Sequence, residues 1–410
     1  MTPFRHGYRG LCPSPLPSVA HSLLKPFDFD TPIDRRGGDS VKWNKYAGRD
    51  VIPLWVADMD FAAPPAVLAA LRRRVGQAVF GYGGEWPPLV DAVVDHLAQA
   101  YRWTIDRQWL VWLPGLVTGL NVACRAVGKP GSAVFSSTPI YPPFLSAPQN
   151  SGRRVVSAPL AHLGGRWQWD FAATEAAIDA DTRLFLLCHP HNPVGRAWSD
   201  EELGEVAAIA GRRDLVVCSD EIHCGLILEP GRRHRPFAAQ HGEAARRSIT
   251  LMAPSKTFNI PGLGCAFAVI PDDALRGDYR AAMQGIVPHV NVLGLAATEA
   301  AYRDCGAWHA ALLDYLRGNR DRVEAVVNSL PGMSMARVEA TYLAWIDARE
   351  LCRRRGGVNA QRFFEAAGIG LSDGEDFGGE QYRGFVRLNF GCPRVTLDAA
   401  LARMRAAVAD

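Results

Sequence analysis

This chain of 410 residues lacks long hydrophobic runs. A membrane span requires about 18 consecutive apolar residues, and no apolar stretch reaches that length. The nine cysteines are odd in number and include no C-x-x-C pair, which argues against a disulfide framework and favours reduced thiols. The net charge of +3 lacks the basic excess of a nucleic-acid-binding protein. We therefore expect a soluble, cytoplasmic protein that binds neither a membrane nor a nucleic acid.

The first residues also lack the continuous apolar core of a signal peptide. They carry Arg5, His6 and Arg9 together with several prolines. We expect residues 1–22 to form an N-terminal extension that lies outside the folded domains.

The middle of the chain alternates short apolar runs with helical patterns, such as the helix predicted over residues 201–210 behind Ser199 and Asp200. This alternation predicts an α/β fold with a mostly parallel sheet that helices cover on both faces. Ligands of such sheets bind beyond the carboxyl ends of the strands. The seven predicted strands are residues 109–113, 133–136, 154–158, 183–188, 215–219, 249–252 and 265–270.

The end of the chain has a different pattern. A helical run through residue 328 is followed by a predicted strand at 339–347, a helix at 358–367, a strand at 384–390 and a helix at 397–408. Chain termini often lie close together, so we expect the early segment, with its apolar strand at 51–56, to join this region. We predict a small α+β domain formed by 23–60 plus 314–410, and a large ligand-binding domain formed by 61–313.

Lys256 is unusual because lysine is scarce in this chain and arginine supplies most of the basic charge. It follows the apolar run 249–252 within the segment A-P-S-K-T-F-N at 253–259. A lysine at such a strand-to-loop junction is a candidate for the residue that binds pyridoxal 5′-phosphate (PLP) covalently as a Schiff base. For a lysine taken alone, the alternative is an ordinary surface position.

Asp220 and Asn192 each follow a predicted strand and could contact the ring of PLP. The Asp220 carboxylate could keep the pyridine nitrogen protonated, so that the ring accepts electrons. The alternative for Asp220 is an N-cap or a loop carboxylate. Asn192 begins the segment N-P-V-G and could donate to the ring oxygen, although such a segment also forms a turn for its own sake.

Metal binding is a further alternative for this region, because Glu221, His223 and Cys224 follow Asp220 and an H-x-H pair precedes Asn192. Adjacent residues at a strand end point in different directions, and no third ligand accompanies the H-x-H pair. We therefore expect no metal.

Three further positions could contact an amino acid or a phosphate. The segment 113–119 (L-P-G-L-V-T-G) ends a strand and opens a helix, whose free N–H groups could bind phosphate. Tyr141 follows the next strand and could stack on a pyridine ring, or pack in the core. Arg387 lies within an apolar strand and needs an anionic partner, which could be a substrate carboxylate or a structural carboxylate.

Taken together and in this order, these residues resemble the aminotransferase class I/II family of PLP enzymes of fold type I, from about residue 27 to the end. Within that family the chain is most similar to the cystathionine β-lyase, or C–S lyase, branch. The segments that carry this similarity are 29–36 (F-D-T-P-I-D-R-R), 55–61 (W-V-A-D-M-D-F), 80–82 (F-G-Y), 220–223 (D-E-I-H) and 255–259 (S-K-T-F-N).

The resemblance implies a role for each candidate residue. Lys256 would bind PLP and act as the catalytic base, and Arg387 together with Tyr141 would bind the substrate. The implied cofactor contacts are Asp220 at the pyridine nitrogen, Asn192 at the ring oxygen, Tyr141 stacked on the ring, Val117, Thr118 and Ser255 at the phosphate, His223 beside the ring, and Tyr82 reaching the partner subunit's site in a homodimer.

Two positions depart from the broader aminotransferase pattern. His223 stands where a tyrosine usually contacts the ring oxygen, and Gly264 stands where many relatives have a phosphate-binding arginine. The C–S lyase branch tolerates both departures. The expected reaction is thus β-elimination from L-cystathionine or a related cysteine thioether to pyruvate, ammonia and a thiol, as in methionine biosynthesis. The alternative functions are those of an aminotransferase and of a regulatory protein without catalysis.

Overall fold

The structure is a computed structural model that describes residues 27–239 and 242–409. The predicted extension at 1–22 therefore lies outside the described residues.

The strands are short, and most of them belong to two sheets. In chain order they are β1 (Ile52–Pro53), β2 (Leu110–Leu113), β3 (Ala133–Thr138), β4 (Arg154–Pro159), β5 (Ala161–Leu163), β6 (Arg166–Gln168), β7 (Thr182–Cys188), β8 (Val216–Asp220), β9 (Ser248–Met252), β10 (Ala266–Val269), β11 (Ser334–Met335), β12 (Leu343–Asp347), β13 (Ile369–Gly370), β14 (Ser372–Asp373) and β15 (Phe385–Asn389).

The helices flank these sheets. In chain order they are α1 (Val41–Asn44), α2 (Pro65–Gly76), α3 (Pro87–Tyr101), α4 (Leu116–Ala126), α5 (Pro143–Asn150), α6 (Phe171–Ala177), α7 (Asp200–Arg212), α8 (Gly242–Arg246), α9 (Asp273–Met283), α10 (Val292–Asp304), α11 (Gly306–Val327), α12 (Arg349–Arg354), α13 (Ala360–Ala366) and α14 (Arg394–Ala409). Within the described residues, no helix combines the length and the apolar composition that crossing a bilayer requires.

The large sheet contains the seven predicted strands, in the order β2-β10-β9-β8-β7-β3-β4. The pairs from β9 to β4 are parallel, whereas β10 runs antiparallel to both of its neighbours. The prediction of a mostly parallel seven-stranded sheet in an α/β fold is therefore confirmed. Parallel strands that helices cover on both sides are apolar along their whole length, and β3 and β9 are indeed buried at every residue.

Helix α4 shows how the sequence places a helix on this sheet. It begins after Gly115, and its buried residues include Leu116, Leu120 and Ala123. At Gly119 an added Cβ would come within 3.0 Å of the side chains of Leu113 and Leu251, so the missing side chain allows α4 to lie close against the strands.

The second sheet has the order β11-β12-β15-β14, with antiparallel pairs throughout. The short strand β1 pairs in parallel with β13, through Ile52 opposite Ile369. One apolar cluster joins residues from Phe29 to Val408 around this sheet. The cluster also includes residues such as Val67 and Ala297, so it continues past residue 61. The pairing of β1 with β13 supports our proposal that 23–60 and 314–410 form one small domain beside the large domain at 61–313. Residues 23–26 lie outside the described part of the chain.

Two predicted strands are shorter than the hydrophobic pattern suggested, and both lie beside the candidate site. The predicted strand 51–56 pairs only at β1, because the carbonyl groups of Trp55 and Val56 accept hydrogen bonds from side chains instead. The predicted strand 339–347 begins only at Leu343, because Thr341 has a φ of +77° and the preceding N–H groups bind loops of the large domain.

Candidate active site

The candidate residues lie where the carboxyl ends of β7, β8 and β9 meet the segment that follows β1. Lys256 follows β9, and its Nζ donates a hydrogen bond of 2.5 Å to the carbonyl oxygen of Ala57. Burial, assisted by the positive charge of Arg387 and opposed by Asp58 and Asp220, lowers the pKa of Lys256 to about 8. The amine is therefore far closer to its neutral, basic form than an exposed lysine would be.

Asp220 is the last residue of β8 and is buried. Its Oδ1 accepts a hydrogen bond of 3.1 Å from the backbone N–H of Ile222. Burial and the neighbouring Glu221 raise the pKa of Asp220 to about 7, against the effect of Lys256. Among the described residues, no cationic side chain lies within ion-pair distance of this carboxylate. A protonated ring nitrogen would supply the missing positive partner.

Arg387, in β15, is buried although it carries a charge. Its Nη1 donates to Oδ1 of Asn192 at 3.0 Å, and its Nη2 donates to the carbonyl oxygen of Trp55 at 2.9 Å. The guanidinium also lies 4.8 Å from the ring centre of Phe377. Burial lowers the pKa of Arg387 to about 10, and no carboxylate in the described chain lies within ion-pair distance of it. The position thus requires an anion, which a substrate carboxylate would provide.

The start of α4 offers a place for a phosphate. Its N-cap is Gly115, and no side chain caps the helix, so its first N–H groups have no acceptor within the helix. Val117 is partly exposed and Thr118 is half-buried. At Gly264, an added Cβ would lie 3.1 Å from the carbonyl oxygen of Pro114, so the chain after Lys256 closely approaches this turn. Ser255, half-buried, belongs to the same stretch of chain.

Two ring-bearing residues complete the pocket. Tyr141 is half-buried, burial raises the pKa of its phenol, and the charges that act on it are those of Arg387 and Asp220. His223 is buried, and burial together with the positive charges of Lys256 and Arg387 lowers its pKa to about 3. His223 is therefore neutral at physiological pH, and its Nδ1 has no hydrogen-bond partner within the described residues.

Tyr82 is arranged differently from the other predicted residues. Its side chain is fully exposed, and its ring centre lies 6.3 Å from that of His289. The single chain therefore does not bring Tyr82 into the buried pocket.

The structure also reveals groups that reasoning from the sequence did not identify. Tyr342 is buried, and its hydroxyl donates at 2.9 Å to the same Ala57 carbonyl oxygen that binds Lys256. Ser372 donates at 2.8 Å to the carbonyl oxygen of Trp55. In the sequence, the segment 55–61 indicates family similarity and no contact with Lys256. Backbone carbonyl groups leave no trace in a sequence, and only this motif could have indicated their importance.

These residues fit PLP together with an amino acid. The pocket contains a buried carboxylate without a cation, a neutral imidazole with an unpartnered nitrogen, a helix N-terminus without a cap and a lysine of lowered pKa. Each would be satisfied by one part of the cofactor: the ring nitrogen, the ring substituents, the phosphate and the aldehyde carbon. Arg387 then remains for the substrate carboxylate.

Comparisons with known proteins agree with this geometry. The family model "Aminotransferase class I and II" matches residues 49–404. Cystathionine beta-lyase PatB of Bacillus subtilis (strain 168) is 36% identical over 390 residues, which cover 93% of this chain and 100% of PatB. The crystal structure of OvoB is 48% identical, with a TM-score of 0.89, and the match covers 93% of this chain and 99% of OvoB. The PLP-bound C–S lyase from Staphylococcus hominis is 30% identical, with a TM-score of 0.88, and the match covers 94% and 99%.

Proposed function

This chain belongs to the aminotransferase class I and II family, and we propose that it is a carbon–sulfur β-lyase that cleaves S-substituted L-cysteines such as L-cystathionine. Its cofactor is PLP, which confirms the expectation from the sequence. Pyruvate, ammonia and a thiol would be the products, and the thiol from cystathionine would be homocysteine.

The juxtaposition of Lys256 and Arg387 carries this proposal. Both are cations of lowered pKa, and the described residues provide no carboxylate within ion-pair distance of either. A buried guanidinium and an amine of lowered pKa suit an α-amino acid, whose carboxylate binds the first group and whose Cα–H faces the second.

Each residue would contribute one function to the reaction. Bound PLP withdraws electrons from the substrate Cα, which makes its proton acidic. Asp220 would hold a proton at the ring nitrogen, and Asn192 and His223 would orient the ring. Arg387 would fix the carboxylate. Lys256 would take the Cα proton onto Nζ, where the Ala57 carbonyl oxygen accepts a hydrogen bond.

The overall reaction breaks the bonds from Cα to hydrogen and from Cβ to sulfur. The sulfur leaves with its electron pair as a thiolate and is protonated. The remaining three-carbon enamine adds water and releases ammonia, which gives pyruvate. No oxidant or second substrate is needed, whereas an aminotransferase requires a keto acid as amino-group acceptor.

The decisive experiment gives the purified holoenzyme L-cystathionine, or an S-alkyl-L-cysteine, in the absence of any keto acid. We expect pyruvate and free thiol to appear in equal amounts, and we expect Lys256→Ala to abolish both while it remains folded. If amino-group transfer to an added keto acid is instead the only reaction, the chain is an aminotransferase and the lyase proposal is wrong.

We also propose that the active enzyme is a homodimer in which Tyr82 contacts the partner's site. Support comes from the exposed apolar side chains around Tyr82, which include Val79 at 71% and Phe80 at 58% exposure. Inactive Lys256→Ala and Tyr82→Ala variants, mixed under conditions of subunit exchange, should regain about a quarter of wild-type activity, because mixed dimers hold one intact site. No recovery despite exchange would contradict a shared site.

A further inference from the structure

One short stretch of backbone contacts both Lys256 and Arg387. The carbonyl oxygen of Ala57 accepts the hydrogen bond of the Lys256 amine at 2.5 Å. The carbonyl oxygen of Trp55 accepts a hydrogen bond of 2.9 Å from Nη2 of Arg387. Two residues of chain span at most about 7 Å, so these two carbonyl groups hold the amine and the guanidinium within a short distance of each other.

This stretch, residues 54–60, is called the bridging segment below. It belongs to no strand, so its backbone groups need partners outside a sheet. Its two ends bind the backbone at the end of β15. The N–H group of Asn389 donates to the carbonyl oxygen of Leu54 at 2.8 Å, and the N–H group of Asp60 donates to the carbonyl oxygen of Gly391 at 2.9 Å.

The side chain of Asn389 binds the middle of the bridging segment. Asn389 is the last residue of β15, two residues after Arg387, and it is completely buried. Its Nδ2 donates to the carbonyl oxygens of Val56 and Asp58, both at 2.7 Å. Its Oδ1 accepts a hydrogen bond of 2.8 Å from the N–H group of Gly391, which fixes the orientation of the amide.

The residues that Asn389 binds lie on both sides of Ala57. The carbonyl group of Ala57 and the N–H group of Asp58 belong to the same peptide unit, and that N–H group donates to the carbonyl oxygen of Val56 at 3.1 Å. Rotation of this peptide unit would break that bond, and displacement of its neighbours would break the bonds to Asn389. The Ala57 carbonyl oxygen is therefore kept in place for Lys256.

We propose that Asn389 is a positioning residue which, through the bridging segment, sets the distance between the Lys256 amine and the Arg387 guanidinium. An α-amino acid needs both groups at once, because its carboxylate is bonded to the Cα that gives up the proton. Without the Asn389 amide, two buried carbonyl groups lose their donors, and the segment has to shift to find others. This inference rests on the proposed roles of Lys256 and Arg387, but it does not require cleavage of a carbon–sulfur bond.

The test follows the exchange of the Cα hydrogen of L-alanine for deuterium in deuterium oxide, measured by NMR with the holoenzyme. This exchange requires a bound carboxylate and proton removal by Lys256 but no leaving group, so a lyase and an aminotransferase would both catalyse it. In Asn389→Ala, the exchange rate at saturating L-alanine should fall about 10- to 100-fold, because misplacement of reacting groups by about 1 Å has an effect of this size.

Affinity provides a second measurement on the same variant. Titrations followed by the absorbance of bound PLP compare L-alanine with ethylamine, which lacks the carboxylate. The preference for L-alanine should be smaller in Asn389→Ala than in wild type, because a displaced guanidinium binds the carboxylate less well.

Asn319→Ala is the matched control. Asn319 is also completely buried, and its Nδ2 also donates to two backbone carbonyl oxygens, those of Phe390 at 2.9 Å and Cys392 at 2.8 Å. Neither acceptor belongs to the bridging segment. Asn319→Ala should lower the free energy of unfolding about as much as Asn389→Ala does, while the exchange rate stays at that of wild type.

A wild-type exchange rate in folded, PLP-bound Asn389→Ala would overturn the proposal. An equal loss of exchange in Asn319→Ala would also overturn it, because general destabilisation would then explain both. If Asn389→Ala does not fold, Asn389→Ser decides, since a hydroxyl donates to only one of the two carbonyl groups: a partial loss of exchange supports the proposal, and a wild-type rate contradicts it. Should wild type exchange the hydrogen of L-alanine without cleaving cystathionine, the lyase function fails and the role of Asn389 is still decided by its variants.

Discussion

Arg387 is buried, and within the described residues its guanidinium donates only to neutral acceptors: the amide oxygen of Asn192, the carbonyl oxygen of Trp55 and the hydroxyl oxygen of Ser372. A buried charge is tolerated only where a partner compensates for lost hydration. The substrate carboxylate is the partner that we propose. Gly264 has a backbone φ of +52°, which disfavours any side chain. The phosphate-binding arginine that many relatives have at this position would therefore be strained here.

The residue-scale prediction concerns Arg387→Lys. A lysine keeps the charge but cannot form the paired hydrogen bonds of a guanidinium, so kcat/KM for an S-substituted L-cysteine should fall about 100-fold or more, mainly through KM. Steady-state kinetics measure this change. The corresponding cysteamine thioether, which lacks the carboxylate, should bind wild type and variant with similar affinity. An equal loss of affinity for both compounds would contradict the carboxylate role.

Among the elements, the loop between β7 and α7, which contains Asn192, is linked to the segment before β12. The carbonyl oxygen of Gly195 accepts hydrogen bonds from the N–H groups of Glu339 and Ala340 at 2.8 and 2.9 Å. The side chain of Glu339 in turn binds Arg196 at 3.1 Å. Asn192 is therefore positioned by contacts with residues far along the chain, and not by its own turn alone.

Gly195→Ala tests this link between elements. Gly195 has a φ of +70°, and an added Cβ would lie 2.7 Å from a side-chain carbon of Val338. The substitution should lower the free energy of unfolding by about 2–4 kcal/mol, because backbone strain and a steric clash add. Denaturant unfolding measures the loss.

Gly165→Ala is the control, since Gly165 has a φ of +74° but no atom within 4 Å of an added Cβ. It should show the strain alone, about 1 kcal/mol. Equal losses for the two variants would mean that contact with Val338 is unimportant.

For the whole molecule, burial lowers the pKa of several histidines that lie in loops, which keeps them neutral. Burial lowers the pKa of His191 to about 4, and its Nε2 bonds to the carbonyl oxygen of Pro139 at 2.8 Å. Between pH 6.5 and 4 the unfolded chain binds a proton at such a histidine and the folded chain does not, so stability falls as the pH falls. Asp220 and Glu221 act oppositely, because burial raises the pKa of each to about 7.

His191→Gln isolates one contribution to this balance. Glutamine can still donate to Pro139 but does not titrate. The loss of unfolding free energy between pH 7 and pH 5 should therefore be smaller than in wild type by about 1–2 kcal/mol. Urea unfolding at the two pH values provides the measurement. His162→Gln, at an exposed position, should leave the pH dependence as in wild type. An unaltered pH dependence in His191→Gln would refute the interpretation.

Sequence by itself determined the features that depend on residue type and local spacing. The alternation of apolar runs with helical patterns predicted the seven-stranded α/β sheet, because hydrophobic periodicity is imposed by the geometry of strands and helices. The order of Lys256, Asp220, Asn192 and Arg387 predicted the family and PLP, because each side chain carries the chemistry that its position requires.

Tertiary structure decided the features that depend on backbone atoms and on what each charge faces. Nothing in the local sequence indicates that the Ala57 carbonyl oxygen accepts hydrogen bonds from Lys256 and Tyr342. Nor does it indicate that the strand predicted over 339–347 begins only at Leu343. The ion pairs of Asp58 with Arg35 and Lys42 likewise depend on which side chains the fold brings together. A sequence specifies which groups are present, but hydrogen bonding and electrostatics depend on distances that exist only once the chain has folded.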